Sequence, residues 1–360
     1  MKPLSFVIVG SGWRAMFYVR IAKRYPQCFD LRYLLCRGEE KAERIRREYD
    51  IPVTTDEAIC EAARPDFIVA AVDKASQFAV TKRWLDKGFA VLAETPAAQR
   101  EADLAALWEL RQQGAKVQIA EQYTRYPLVA AGLGAVEQGL LGEPQDVTLS
   151  LAHDYHAASL IRHMLGLGDT FPAMALRGKA YTFPVEETDS RYGPVTDGTV
   201  KERKRARITL EFAGGKVAFY DFDGVQYHSF IRARHLSVQG PKGEWNDTVV
   251  RYVDEDHEPH RLELRPLLDP AYESLHTPEL IELCRTWHPD IHMENWQDEY
   301  AMATLMLDMG GLIEEDREPY PLGQALEDAY TWLLMDRALQ HPGQVITSQH
   351  QPWHKKGGAL

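Results

Sequence analysis

Residues 10–15, GSGWRA, place Gly10, Gly12 and Ala15 in a G-x-G-x-x-A spacing. That spacing suits a pyrophosphate. Gly10 permits a tight turn, Gly12 lets the backbone approach the phosphates, and Ala15 lets the following helix pack closely on the preceding strand. Ser11, Trp13 and Arg14 complete the turn, and the unpaired amides of a helix N-terminus are ready phosphate donors. Further on, Asp154 is expected to cap a helix from Tyr155 to Leu165, which puts His156 in its first turn. There the helix dipole favours the neutral imidazole, able to accept a proton. His153 and His163 lie nearby, but His156 and His163 are seven residues apart, about 10 Å along a helix. One ion cannot bridge that distance and His153 precedes the helix, so no metal is expected.

These groups need elements to position them. Phe6–Val9 is an apolar run ahead of the turn, as in a strand buried on both faces. The alternation continues through LRYLLC (31–36), a helix near 39–49, a short helix at 55–63 capped by Thr55 or Asp56, FIVAAV (67–72), a helix at 76–87, AVLAE (90–94), a helix after Pro96 and VQIA (117–120). Strands alternating with helices imply a parallel sheet covered by helices. Residues 146–270 are instead strand-rich. In RARITLEF, Ala206, Ile208, Leu210 and Phe212 share one face and Arg205, Arg207, Thr209 and Glu211 the other. The basic run KERKRAR (201–207) therefore reads as the polar side of a strand rather than a nucleic-acid signal. The stretch 184–200 reads as a loop over a pocket or as an exposed connection.

The tip of the second strand bears on cofactor choice. An acid there grips the ribose 2′-hydroxyl of NAD. Here the strand ends Cys36-Arg37, with no acid until Glu39. Arg37 can hold a 2′-phosphate bidentately, so NADP is expected over NAD; the alternative is a solvated loop arginine.

Composition bounds the rest. A chain of 360 residues suits two domains. Its 45% hydrophobic and 26% charged residues are ordinary for a globular protein. The net charge of −12 disfavours nucleic acid and anionic lipid as partners. No apolar run approaches the roughly 20 residues of a membrane span. Met1 lies close to the first strand, leaving no room for a cleavable signal. Cys28, Cys36, Cys60 and Cys284 show no paired spacing and read as reduced thiols. A cytoplasmic chain is expected.

The order GSGWRA, AETPAA (93–98) and EQYTRYP (121–127) resembles the glucose–fructose oxidoreductase/inositol dehydrogenase/MocA (Gfo/Idh/MocA) superfamily. So do LGEPQDV (141–147) and the stretch from Gln145, QDVTLSLAHDYHAASLIRHMLGLG, with His156 ten residues before Gly166. The resemblance covers most of the chain. It implies a fold of class α/β: a Rossmann parallel sheet over 1–122, a substrate-binding and oligomerisation α/β domain over 123–345 with a large, mostly antiparallel open sheet, and a tail over 346–360. One face of that sheet would cover the nicotinamide and the other would join copies in a homodimer or homotetramer. The function implied is NAD(P)-dependent hydride transfer on a sugar, polyol or related hydroxy/carbonyl compound.

The chemical positions depart from the family pattern. Where the family has Glu-Lys-Pro, this chain has Glu94-Thr95-Pro96, and where it carries an Asp four residues before the histidine, Ala152 stands. The fourth strand leads to Asp73, Lys74 and Gln77, without the family's histidine. Losing one positioned acid–base group costs about 10²–10⁴ in rate. Lys74, just beyond a strand end, is the candidate replacement; the alternative is a surface lysine opening a helix. The expected cofactor contacts are Gly10, Ser11, Gly12, Trp13, Arg14, Ala15, Arg37, Asp73, Glu94 and Thr95. The expected catalytic groups are His156, Lys74 and Tyr155. Tyr123, Arg125 and His156 are expected at the substrate, with Arg125 open to a second reading as a domain-bridging ion pair. A non-catalytic dinucleotide-binding sensor or partner-binding protein of the same fold is the alternative function. By analogy with the family, Thr95–Pro96 is predicted cis.

Overall fold

The computed structural model describes residues 2–190, 193–288 and 295–354. Two compact units divide the chain: 1–127 with 268–329, and 128–267 with 330–360. This differs from a sequential division near residue 122. Residues 268–329 return to the first unit because their apolar side chains complete its core.

In the first unit, β1 (Leu4–Val9), β2 (Phe29–Leu35), β3 (Val53–Thr54), β4 (Phe67–Ala70), β5 (Ala90–Ala93) and β6 (Val117–Ile119) form one parallel sheet in the order β3-β2-β1-β4-β5-β6. The helices α1 (Ala15–Arg24), α2 (Glu39–Tyr49), α3 (Glu57–Ala62), α4 (Lys74–Asp86) and α5 (Glu101–Gln112) make the crossovers. The central strands β4 and β5 are buried throughout, as their unbroken apolar sequences require. Asp56, not Thr55, caps α3, its carboxylate accepting from the Ala58 amide at 2.9 Å.

The return segment carries α8 (Pro278–Thr286) and α9 (Asn295–Glu315), and the first half of α10 (Leu322–Gln340). Met302, Met306, Met309 and Leu312 of α9 join Phe17, Tyr18 and Ile21 of α1 in one buried cluster. The strand order reverses between β1 and β4, so the crevice at their carboxyl ends is where a ligand binds in such a sheet.

The second unit is entered through α6 (Pro127–Glu137). Its nine-stranded sheet contains β7 (Asp146–Ser150), β8 (Met174–Glu186), β11 (Val200–Phe212), β12 (Val217–Phe222), β13 (His235–Gly240), β14 (Gly243–Asn246), β15 (Val249–Val253), β16 (Pro259–Glu263) and β17 (Ile346–Thr347). The order is β16-β15-β14-β13-β7-β12-β11-β8-β17. Every pairing is antiparallel except β12 with β7. The helix α7 (Asp154–Met164) follows β7.

On β11, Ile208, Leu210 and Phe212 are buried, as their alternation requires. The basic run on that strand is paired: Lys201 with Glu187 at 2.5 Å, Arg203 with the same carboxylate, and Arg205 with Asp221. The stretch 184–200 is less of a loop than its composition suggests. β8 runs to Glu186, and the short strands β9 (Asp189–Ser190) and β10 (Gly193–Pro194) pair before β11 begins. The expected C-terminal tail is likewise anchored, β17 pairing with β8 and Trp353 being buried. Its last residues, 355–360, lie outside the described residues.

Candidate functional site

The turn after β1 has the geometry its glycines imply. Gly10 adopts φ +123°, and a Cβ there would lie 2.0 Å from the Ala71 carbonyl oxygen, so no other residue fits. A Cβ on Gly12 would meet nothing within 4 Å. That open backbone is the cradle a pyrophosphate needs. Ala15 is fully buried, whereas Trp13 is exposed, its ring meeting Phe17 edge-on at 4.5 Å. Ser11 is half-buried beside them. No side chain caps α1 and no acid stands in its first turn, so its N-terminal field is open to an anion. The residues present fit a dinucleotide.

At the tip of β2, Arg37 is exposed. Glu39 is turned to Arg46 at 2.7 Å and Thr55 at 3.2 Å. The hydrogen bond from Arg46 is the main cause of its lowered pKa. Asp73 caps α4 through the Ser76 amide at 3.1 Å and the Ser76 hydroxyl at 3.0 Å. Those bonds, with a smaller share from the charge of Arg37, hold its carboxyl below the usual range. Arg37 and Asp73 are thus brought within electrostatic reach of each other. Lys74 is exposed as the first residue of α4.

The end of β5 is tied to the phosphate turn by buried charge. Glu94, 6% exposed, accepts from Arg14 Nε at 3.0 Å and from the Tyr18 hydroxyl at 2.7 Å. The same guanidinium pairs with Asp298 on α9. Asp298 Oδ1 also accepts from Tyr126 at 2.8 Å and Gln122 at 3.0 Å. Burial pushes the Asp298 pKa up, but Arg14 and the hydrogen bonds outweigh it and hold it below the ordinary value. Glu121, buried just after β6, is pushed up to about 8 by burial first, with Glu94 and Asp298 adding to the effect against Arg14. Arg14, expected at the cofactor, therefore has its guanidinium between two carboxylates. Thr95 is half-buried beside Glu94, and the Thr95–Pro96 bond is cis as predicted. Tyr18 and Asp298 lie outside every motif, and Glu121 and Gln122 open EQYTRYP without a sequence signal that marks them as site residues. No local signal exposes Asp298, which lies 284 residues from Arg14.

Tyr123 is buried and stacked on Tyr126 at 4.7 Å. Arg125 makes an ion pair, its Nη1 lying 2.6 Å from Asp308 Oδ2, 3.0 Å from the Tyr272 hydroxyl and 3.2 Å from Thr304 Oγ1. All of these belong to the first unit, so the pair is internal rather than domain-bridging.

The second unit carries the other candidates. His153, not Asp154, is the cap residue of α7, and it makes no side-chain cap. Asp154 instead opens the helix with φ +50°, its amide donating to the Tyr220 hydroxyl at 3.4 Å. Burial, then the nearby Asp154 carboxylate, raises the Tyr220 pKa. Tyr155 and His156 are both 5% exposed, with ring centroids 4.5 Å apart. The His153 ring stands edge-on to His156 at 5.1 Å, and Tyr155 meets Trp332 at 5.6 Å. Tyr227 accepts from the His153 amide at 3.0 Å and lies 2.6 Å from its Nδ1. His163 sits further along the helix, its Nδ1 at 2.8 Å from the Ser159 carbonyl. Among the described residues no cluster of three or more His, Cys, Asp or Glu could hold a metal. No helix among them is long and apolar enough to cross a membrane.

Residues 4–121 match the model of the Gfo/Idh/MocA family, described as an oxidoreductase family with an NAD-binding Rossmann fold. No curated protein matches the chain. Among similar solved structures, an NAD-binding oxidoreductase from Klebsiella pneumoniae has a TM-score of 0.72, with 13% identity over 98% of this chain and 100% of that one. An oxidoreductase domain protein from Kribbella flavida has a TM-score of 0.69 and 16% identity, over 97% and 100% of the two chains. An oxidoreductase from Agrobacterium radiobacter, in complex with NAD+, L-tartaric acid and magnesium, has a TM-score of 0.68 and 13% identity, over 95% and 98%. At these identities the likeness is one of fold.

Proposed function

We propose that this chain is an NADP-dependent oxidoreductase acting on a CH–OH or carbonyl group of a sugar, polyol or related small molecule. The observation that carries the cofactor is the pairing of an open backbone at Gly12 with an exposed Arg37, while Glu39, the next acid along the chain, is occupied by Arg46. Gly10, Ser11, Gly12, Trp13, Arg14 and Ala15 form the turn that holds the pyrophosphate, and Arg37 grips the 2′-phosphate. Asp73, Glu94 and Thr95 line the strand ends nearer the nicotinamide. The cofactor, when bound, supplies or accepts the hydride.

The chain's own residues manage the proton. His156, in the first turn of α7, exchanges the proton of the substrate hydroxyl, with Tyr155 against its ring. Lys74, an exposed amine at the start of α4, is the candidate assistant in place of the lysine that Thr95 lacks. Tyr123 contacts the substrate. Arg125, already paired with Asp308, acts by fixing the segment that carries Tyr123. The long open sheet of the second unit leaves Tyr181, Phe183 and Phe219 exposed, which supports assembly of two or four copies through it. A cytoplasmic location belongs to the same proposal, in keeping with Cys28, Cys36, Cys60 and Cys284 all being free thiols.

A second reading, a dinucleotide-binding sensor without turnover, is favoured by Thr95, a hydroxyl that cannot exchange a proton usefully near neutral pH. Fluorescence titration with NADPH and NADH, followed by a screen of sugars and polyols for cofactor turnover, separates the two. NADPH binding with turnover supports the enzyme, and binding without turnover supports the sensor. Should Thr95→Lys then gain turnover, the sensor reading is strengthened further.

A further inference from the structure

Two ion pairs tie α1 to α9, and both start from the end of α1 that faces the phosphate turn. Arg14 is the residue at which α1 begins, and no side chain caps that end. Its guanidinium is turned inward. Nε donates to Glu94 at 3.0 Å, while Nη1 and Nη2 reach the two oxygens of Asp298, the second at 3.3 Å. Arg20, six residues on, donates from Nε to Glu299 at 2.5 Å. Phe17 stands three residues from each arginine and is fully buried. Its ring packs against both, with the Arg14 and Arg20 Cζ atoms 5.0 and 4.2 Å from its centroid. Asp298 and Glu299 are neighbours on α9 and both are buried, so water screens their hold on the arginines only weakly.

We propose that Asp298 and Glu299 are positioning residues for the cofactor: through Arg14 and Arg20 they fix where α1 begins and so aim the backbone donors of the phosphate turn. The inference rests on the dinucleotide reading above and adds residues of α9 that lie outside the turn. Backbone donors bind an anion more tightly when they are fixed beforehand, because ordering them on binding subtracts from affinity. The alternative role for Arg14, as a direct phosphate ligand, requires its guanidinium to leave two carboxylates. These two roles predict opposite signs. Removing the Asp298 charge frees Arg14 and, by charge alone, favours an anion. Removing its tie loosens the start of α1 and disfavours one. The tie prevails here, because the Asp298 charge is already met by Arg14 and its field at the turn is small.

Calorimetric titration with NADPH and with NADH tests this, using the native chain, Asp298→Asn, Arg14→Lys and Glu299→Gln, each at a temperature where circular dichroism shows it folded. Asp298→Asn is expected to weaken both cofactors roughly tenfold and to leave their ratio unchanged, since they share the pyrophosphate. Arg14→Lys keeps the charge but loses the fork that spans two carboxylates, so it weakens both in the same way. Glu299→Gln weakens both about threefold, because Arg20 is the half-buried and more distant of the two ties. A purely structural role lowers the melting temperature and leaves the Kd of the folded chain where it was. That result, or tighter binding by Asp298→Asn, overturns the proposal and leaves dinucleotide binding intact. Failure of the native chain to bind either cofactor overturns the dinucleotide reading and this proposal with it. If Asp298→Asn does not fold, Glu299→Gln decides, and an unchanged Kd there overturns the proposal.

Discussion

Tyr227 holds His153 twice, accepting from its backbone amide at 3.0 Å and lying 2.6 Å from its ring Nδ1. One phenol thus fixes both the main chain and the imidazole at the position that opens α7, with His156 three residues on. Tyr227→Phe removes both bonds and keeps the ring. A loss of about 1–2 kcal/mol is expected in urea unfolding, since two half-buried groups on His153 lose a partner.

The two glycines of the phosphate turn should fail differently. Gly10→Ala drives a Cβ to within 2.0 Å of the Ala71 carbonyl oxygen at a φ of +123°, so a lower melting temperature or no folded protein is expected. Gly12→Val meets no protein atom within 4 Å of its Cβ and should melt near the native temperature. Its side chain fills the phosphate cradle instead, so NADPH affinity should drop severely. Calorimetry alongside thermal unfolding distinguishes the two outcomes.

Arg37→Ala should remove most of the preference for NADPH over NADH. A charge-assisted bidentate contact accounts for roughly tenfold in affinity or more. Equal binding of the two cofactors by the native chain would rule out Arg37 as a phosphate ligand.

Glu121 links stability to pH. Its pKa is about 8 in the folded protein against an ordinary value of 4.5. Between those values the folded chain keeps a proton that the unfolded chain has released. Stability is therefore fully present below the lower value and declines as pH rises through the higher one. Melting temperature measured from pH 5 to pH 9 should fall with that trend, and Glu121→Gln should flatten it.

Lys74→Met separates assistance from surface position. If Lys74 moves a proton, turnover falls about 100-fold with NADPH affinity nearly unchanged. An unchanged rate would return Lys74 to the helix surface.

The Rossmann sheet is legible because each of its signals is local. The glycine spacing follows an apolar run, and β4 and β5 are short apolar segments between helical ones. The return of 268–329 to the first unit is not legible, because the apolar face of a helix says that it is buried and not against what. Met306 of α9 would suit either core by composition, yet it packs with Phe17 and Ile21. The same limit hides the site. Arg14 reads as a phosphate-turn residue from its neighbours, while its partner Asp298 is far along the chain and only folding brings them together. His156 was reachable through the family resemblance, but Tyr227, which fixes the adjacent His153, sits after a strand with no motif to mark it.

The discontinuity of the first unit has a consequence for biosynthesis. When residue 127 leaves the ribosome, the six parallel strands have all been made, but the α9 side chains that seal one side of α1 have not. Roughly 190 more residues must be translated before α9 ends, which at ~5–20 residues per second is about 10–40 s. Through that interval the nascent chain shows Phe17, Ile21 and their neighbours to solvent, so it is a natural client for chaperones that bind exposed apolar surface. A message cut short after residue 127 would yield a nucleotide-binding half that lacks part of its own core.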